Sequence, residues 1–373
     1  MAKIRKLKNG PDTFYPVTIP SAVIDPATGN PARFGVPAIE PKLKLTRLGV
    51  ILSGTTAPGE SVYFPSIVRN MTRNTASSDA WKKAKYFLFF STDHEYAAAA
   101  SGISMAYSDA VSGPWTRYGT GKLVTLAGLG YTSNSASEAE CETPSVWWDE
   151  KTGLYYMAWH SQNLIDASPY NYAQTTRIAS SPDGITWTAV KRMFDIPMRD
   201  IAGNGHNGYV QVYRHDGGYY ATLLLGGGNG YMTDAYSYDG LHWMVNPMQD
   251  NAVNSEYKMA GTVAPGSYVL VEFNQCALFK FYGQWYKIGG GGVPAAGTAA
   301  KVYDLYLMPV LADKRTPAGP GRLLLEMDTT LDETKNIRNT TSFDDEGTVY
   351  ILYTTRAGTT GATRIHCARL DME

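Results

Sequence analysis

The sequence is poor in cysteine, in charge and in long apolar runs. Its three cysteines, Cys141, Cys276 and Cys367, stand far apart in 373 residues. An odd, scattered set is neither a disulfide framework nor a zinc site, whose ligands are closely spaced. Charged residues make up only 18% and their signs balance, 33 basic against 34 acidic, for a formal net charge of -1. A binder that tracks phosphates needs a strongly basic field, so nucleic acid is excluded as a partner. No apolar run approaches the roughly 18 residues of a membrane span, and no membrane insertion is expected. Lys3, Arg5, Lys6 and Lys8 are followed by Asn9-Gly10-Pro11-Asp12 and not by an apolar stretch. The N-terminus therefore does not read as a secretory signal.

What is present is aromatic and glycine-rich. The chain holds 26 Tyr and 37 Gly, and 44% of its residues are apolar. Disorder needs few aromatics and many charges, and Gly disfavours helix interiors, so neither a disordered chain nor a long helical bundle fits. The length suits one large domain or two medium ones, with a sizeable core.

Residues 1–44 differ from the rest. Seven prolines (Pro11, Pro16, Pro20, Pro26, Pro31, Pro37 and Pro41) recur with little periodicity. Proline locks φ and removes a donor, so this segment reads as an extended attachment arm, with a flexible leader as the plainer alternative.

Residues 45–373 form a train of short β-type runs cut by Gly, Asp, Asn and Pro. Five runs, Tyr86–Ser91, Leu154–His160, Tyr219–Leu225, Gln284–Ile288 and Val349–Thr354, each follow a similar strand beginning at 64, 143, 207, 275 or 340. Successive starts lie 64 to 79 residues apart. A third strand follows in most units and often ends in a turn with Trp, as in Arg177–Trp187 (RIASSPDGITW) and Ala235–Trp243 (AYSYDGLHW). Asp-Gly supplies the tight turn, and Trp packs between sheets. Five such units predict an all-β, five-bladed propeller. The fifth unit ends at Arg364–Leu370, and Leu45–Ser53 is expected to supply its outer strand and latch the ring.

The stretches FPSIVRN, KYFLFFSTDH and GISMAYSDAVSGPW resemble the first blade of the five-bladed glycoside-hydrolase propellers of families 43 and 32. ETPSVWWDEKTGLYYMAWH with QTTRIASSPDGITW resembles their second. The likeness is good over roughly residues 60–245 and weak beyond 250. It implies a glycan-active propeller with three acidic groups around an axial funnel: a base, a pKa modulator and a general acid. Paired carboxyls roughly 5–5.5 Å apart retain configuration and those roughly 6.5–9.5 Å apart invert it. The opening IRKLKNGPDTFYPVTIPSAVIDPATGNPA resembles the start of tail-fibre and receptor-binding proteins from phages of gut bacteria. That implies a virion protein, set free by lysis without a signal peptide, joined to other tail proteins through residues 1–44. It also implies a bacterial surface glycan as the ligand and a homo-oligomer as the assembly.

Blade one departs from the hydrolase pattern. Family 43 enzymes carry Asp immediately before the first-strand proline, and here Phe64 stands there. Asp93, His94 and Glu95, at the end of the second strand, are the nearest replacements, unless Asp93-His94 forms only a polar turn. In blade two Glu138, Glu140 and Glu142 alternate along an extended chain and share one face. Such crowding would raise at least one pKa, which suits a general acid. A cation site or a solvated loop would use the same cluster. His160 ends the second strand of blade two as His94 does in blade one, either to meet a sugar or as a buried structural group. In blade three His206 precedes the first strand and would serve proton transfer, ligand contact or an ion site. The expected catalytic set is Glu142, Asp93, His94 and His206. The expected binding set is Glu140, His160, Asp200, Asn207, Trp147 and Arg338, with Asn339 beside the last. No cofactor is expected beyond a structural cation on the axis. Cleavage and binding without cleavage both remain open, with the hydrolase-type site slightly ahead.

Overall fold

The computed structural model describes residues 42–94, 101–133, 140–161, 164–165, 174–194, 207–215, 217–225, 231–245, 262–263, 267–268, 276–291, 304–314, 318, 322–326, 328, 339–356 and 361–373. Residues 1–41 of the attachment arm, Glu95, Glu138, Asp200, His206 and Arg338 lie outside these residues.

Leu43–Glu373 form one compact unit, built from five antiparallel four-stranded sheets. Blade one is Tyr63–Arg69, Tyr86–Ser91, Ile103–Ser108 and Thr116–Arg117, from the axis outward. Blade two is Glu142–Asp149, Leu154–Ser161, Thr175–Ser181 and Thr188–Arg192. Blade three is Asn207–His215, Gly218–Leu225, Tyr231–Ser237 and Met244–Val245. Blade four is Ala277–Phe281, Gln284–Gly291, Asp304–Val310 and Arg322–Leu325. Blade five is Thr340–Asp345, Thr348–Arg356 and Thr363–Met372, completed by Leu43–Ser53. The five-bladed propeller read from the repeat is the fold.

The closing strand begins two residues earlier than the sequence pattern placed it. It pairs from Leu43↔Met372 to Ser53↔Arg364, with two bulges. Leu43 and Leu45 are both buried in the core between blades four and five, which holds the start of the strand in place. The bulges twist an edge that would otherwise be open to further pairing.

Apolar clusters fill the wedges between consecutive blades. Those between one and two, two and three, four and five, and five and one are broad and aromatic. The cluster between three and four is smaller, holding Tyr220, Cys276, Leu278, Met308 and Val310. A fully buried ion pair, Lys287 Nζ to Asp234 Oδ1 at 3.2 Å, spans that same seam. All three cysteines are buried and unpaired by disulfides. No helix among the described residues is long and apolar enough to cross a membrane.

The Asp-Gly turns follow a shared design. Asp183 Oδ1 accepts the N–H groups of Ile185 and Thr186 at 2.8 and 2.7 Å, and Asp239 Oδ1 accepts those of Leu241 and His242 at 2.8 Å each. The indole N–H of Trp187 donates to Gly184 O, and that of Trp243 to Gly240 O. Gly184 has φ +79° and lies against Phe87 of blade one, where a Cβ would come within 3.1 Å of the ring. Each Trp thus turns toward the preceding blade: Trp187 meets Phe89, and Trp243 meets Trp147.

Hydroxyls stitch the inner strands together. Ser66 Oγ accepts the N–H of Val146, and Ser145 Oγ accepts that of Val212, both at 2.8 Å. Each links one blade to the next, and this fixes how the inner strand ends converge.

Candidate functional site

The inner strands of blades one, two and three carry the same irregularity. Their pairing is interrupted between Tyr63 and Ser66, Glu142 and Ser145, and Gly208 and Gln211. Within each bulge one non-glycine residue is left-handed: Phe64 at φ 51°, Thr143 at 52° and Tyr209 at 52°. For β-branched or bulky residues this conformation costs on the order of 1–3 kcal/mol and persists only where surrounding packing imposes it. A bulge re-aims side chains. Here it brings residues of three blades into contact.

Glu142 is the centre. Its side chain is fully buried. Oε2 lies 2.8 Å from His94 Nδ1 of blade one, and Oε1 lies 3.3 Å from His160 Nδ1 of its own blade. Glu140 approaches the same imidazole, with Oε2 3.6 Å from His160 Nδ1. Burial pushes the Glu142 carboxyl up. The charges and hydrogen bonds of His94 and His160 outweigh that and hold it down at about 2. This reverses the direction expected from glutamate crowding, because the charges and hydrogen bonds of two imidazoles act on Glu142. The group is a carboxylate near neutral pH and carries no proton to donate.

Asp93 is buried, and its Oδ1 accepts the N–H of His94 at 2.7 Å. Burial raises its pKa, with N–H groups of His94 and Gly59 acting in the opposite sense. Lys122, which sequence reasoning did not single out, lies close enough for its charge to be felt by Asp93; burial lowers its own pKa. Nothing in the sequence around Gly121-Lys122 marks it, since the approach is made by folding of a loop.

Aromatic rings roof the cluster. His94 meets Phe64 edge-on at 4.8 Å and Tyr209 at 5.9 Å. Tyr209 stacks on His160 at 5.7 Å and 22°, and lies 5.4 Å from Phe64. Tyr63 meets His94 at 5.8 Å. Phe64, at the position where the hydrolases resembled carry Asp, is a buried ring against the histidine.

The fold thus brings together Glu142, His94, His160, Glu140 and Asp93. It places two other candidates elsewhere. Asn207 is a strut between blades, its Oδ1 accepting the Thr176 N–H at 2.7 Å and its carbonyl accepting the Thr176 hydroxyl at 3.0 Å. Trp147 is buried between blades two and three, stacked on Tyr156 and beside Tyr219 and Trp243. Glu140, Glu142 and His160 each offer one donor atom, all within 4.8 Å of one another, and could hold a metal ion.

No protein-family model and no curated protein matches the sequence. Solved structures do match in shape. A thermostable family-43 glycoside hydrolase aligns with TM-score 0.55 at 14% identity, over 88% of this chain and 93% of that one. A putative glycosidase from Bacteroides thetaiotaomicron aligns with TM-score 0.53 at 14% identity, over 87% and 96%. A structure from the family of mannoside phosphorylases that contains hydrolases of β-1,2 mannosidic linkages in Candida mannan aligns with TM-score 0.51 at 14% identity, over 89% and 95%. At such identities the likeness is one of fold: this chain has the five-bladed propeller architecture of glycoside hydrolases.

Proposed function

We propose that this chain is a carbohydrate-binding propeller that recognises a bacterial surface polysaccharide without cleaving it. The observation that carries the reading is the state of Glu142. A general acid must reach the glycosidic oxygen with a proton. Glu142 is fully buried, both its oxygens are engaged by imidazoles, and Phe64 and Tyr209 pack over those imidazoles. Phe64 also removes the carboxylate that the hydrolases resembled carry in blade one. The cluster around Glu142 therefore acts as a buried support that joins blades one and two.

The tail-fibre likeness of residues 1–44 supports a setting on a virion. In this reading the arm joins other tail proteins, the assembly is a homo-oligomer, and the propeller meets the host glycan after release by lysis. No cofactor enters; a structural cation, if bound, would use Glu140, Glu142 and His160.

Cleavage is the second reading. It is favoured by the hydrolase scaffold and by carboxyl oxygens of Glu140 and Glu142 within 4.8 Å of each other. A glycan array with product analysis on every hit separates the two. Binding with intact glycan is the expected result. Released reducing ends that disappear in Glu142→Gln would establish the hydrolase instead.

A further inference from the structure

Three blades turn an indole onto the blade before them. Trp187 of blade two packs on Phe89 of blade one, Trp243 of blade three packs on Trp147 of blade two, and Trp115 of blade one joins the cluster shared with blade five. Between four and five the latch strand supplies Leu43 and Leu45 instead. Blade four breaks the series, because the chain holds no Trp beyond Trp285. The turn after its third strand brings Lys314 to blade three. Lys314 Nζ lies 5.7 Å from the ring centroid of Tyr220 and 5.1 Å from that of Trp285. The Lys314 carbonyl accepts the Tyr220 hydroxyl at 3.2 Å.

Lys314 meets only the inner part of a cross-strand row. Tyr213 pairs with Tyr220, Tyr220 with Tyr236, and Tyr236 with Met244, and directly opposed residues share one face of a sheet. Tyr220 is buried and Tyr236 half-buried, but Met244 is 60% exposed. Tyr238 meets Tyr236 edge-on at 4.8 Å and is 69% exposed. Blade three thus presents a corner of Tyr236, Tyr238 and Met244 to solvent. Tyr and Met are the residue types enriched in the cores of protein interfaces.

A further exposed ring stands at the same end of the propeller. Tyr282 lies at the tip of the hairpin that opens the second strand of blade four, and it is 73% exposed. Its φ is 46° and that of Gly283 is 85°. A turn with two such residues favours Asn, Asp or Gly at the first, so local backbone preference does not account for Tyr. Tyr238 follows Ser237, which pairs with Tyr219 at the start of the second strand of blade three. Glu142 pairs with His160 near the far end of a second strand. Tyr282 and Tyr238 therefore lie at the end opposite Glu142.

We propose that this end of blades three and four is the contact between two copies of the chain, with Tyr282 of each seated on Tyr236, Tyr238 and Met244 of the other. A two-fold contact is self-complementary, so one ring and one corner per copy complete it. Its charges agree: exposed Lys280 stands two residues from Tyr282, and exposed Asp239 adjoins Tyr238. Setting Tyr282 on Tyr238 brings these opposite signs to the same rim of the contact. The Glu142 ends of both copies then face outward. The inference rests on the homo-oligomer in the reading above and names the surface that forms it.

The test uses the full chain. Wild type, Tyr282→Asn and Met244→Glu are compared by analytical ultracentrifugation over a range of concentrations. Wild type should form a dimer, and each variant should raise its dissociation constant by about tenfold or more. Asn suits the left-handed turn position, so the dilute Tyr282→Asn protein should melt no lower than wild type. A dimer whose dissociation constant neither variant moves would overturn the inference while leaving the homo-oligomer in place. A wild type that stays monomeric would overturn both. Unchanged self-association together with lost glycan binding in both variants would assign the corner to sugar and overturn the inference.

Discussion

His94 Nδ1 of blade one and Glu142 Oε2 of blade two lie 2.8 Å apart across the first blade boundary. His160 binds the other oxygen from within blade two. One carboxylate thus joins two blades at the axis, and its removal tests what the cluster is for. Glu142→Gln keeps the shape and removes the charge. Hydrogen bonds to charged groups contribute about 1.5–3 kcal/mol each, so the unfolding free energy should drop by roughly 2 kcal/mol in denaturant titration. Unchanged stability would mean that the cluster does not hold the blades together.

The same group sets an acid limit. Its pKa is held near 2 in the folded chain against 4.5 ordinarily. A depressed carboxyl contributes stability that is present in full above its unfolded value and is lost as pH falls through its folded value. Melting temperature should therefore decline between about pH 4.5 and 2, and Glu142→Gln should flatten that part of the decline. A variant as acid-sensitive as wild type in this window would assign the loss to other carboxylates.

Phe64 packs against His94 and Tyr209 in a left-handed conformation. Truncating a buried Phe to Ala costs about 3–5 kcal/mol. Phe64→Ala should lose stability in that range, read by denaturant midpoint, and should acquire no glycosidase activity. Activity appearing in Phe64→Ala would show that the ring was masking a competent acid.

Two truncations separate the arm from the latch. Removing residues 1–41 should leave the melting temperature within a few degrees while abolishing incorporation into a larger particle. Removing residues 1–53 takes away the strand paired with Thr363–Met372 and the buried Leu43 and Leu45. That should expose an edge strand and give aggregation or unfolding at ordinary temperature, seen by light scattering. Equal behaviour of the two truncations would mean that the latch does not close the ring.

Much of the ring was legible because its signals are local. Alternating apolar runs, Asp-Gly turns and the recurring strand start each depend on neighbours within a few residues. Inner strands accordingly begin at Tyr63, Glu142, Asn207, Ala277 and Thr340, within two residues of the starts counted from the repeat. Glu142 and His160 stood out singly for the same reason, since they lie at facing ends of paired strands; His94 does not match His160 in register, because Ser91 holds that place in blade one and His94 lies three residues past the strand end.

Their joint state was not legible. The spacing of Glu140 and Glu142 predicts crowding of like charge, yet His94, 48 residues away in sequence, decides the sign of the shift. Asn207 and Trp147 sit at strand positions that look axial or exposed in one dimension, and the neighbouring blades absorb both. The corner of Tyr236, Tyr238 and Met244 gained its significance only from the register of blade three and from the indoles that cover its neighbours. Periodicity and turn chemistry act along the chain, so the sequence alone determined that five blades form and where their strands begin. Which side chains meet at the centre depends on closing the ring, because the charges and rings that converge there come from blades far apart in sequence, and only the tertiary structure decided their partners.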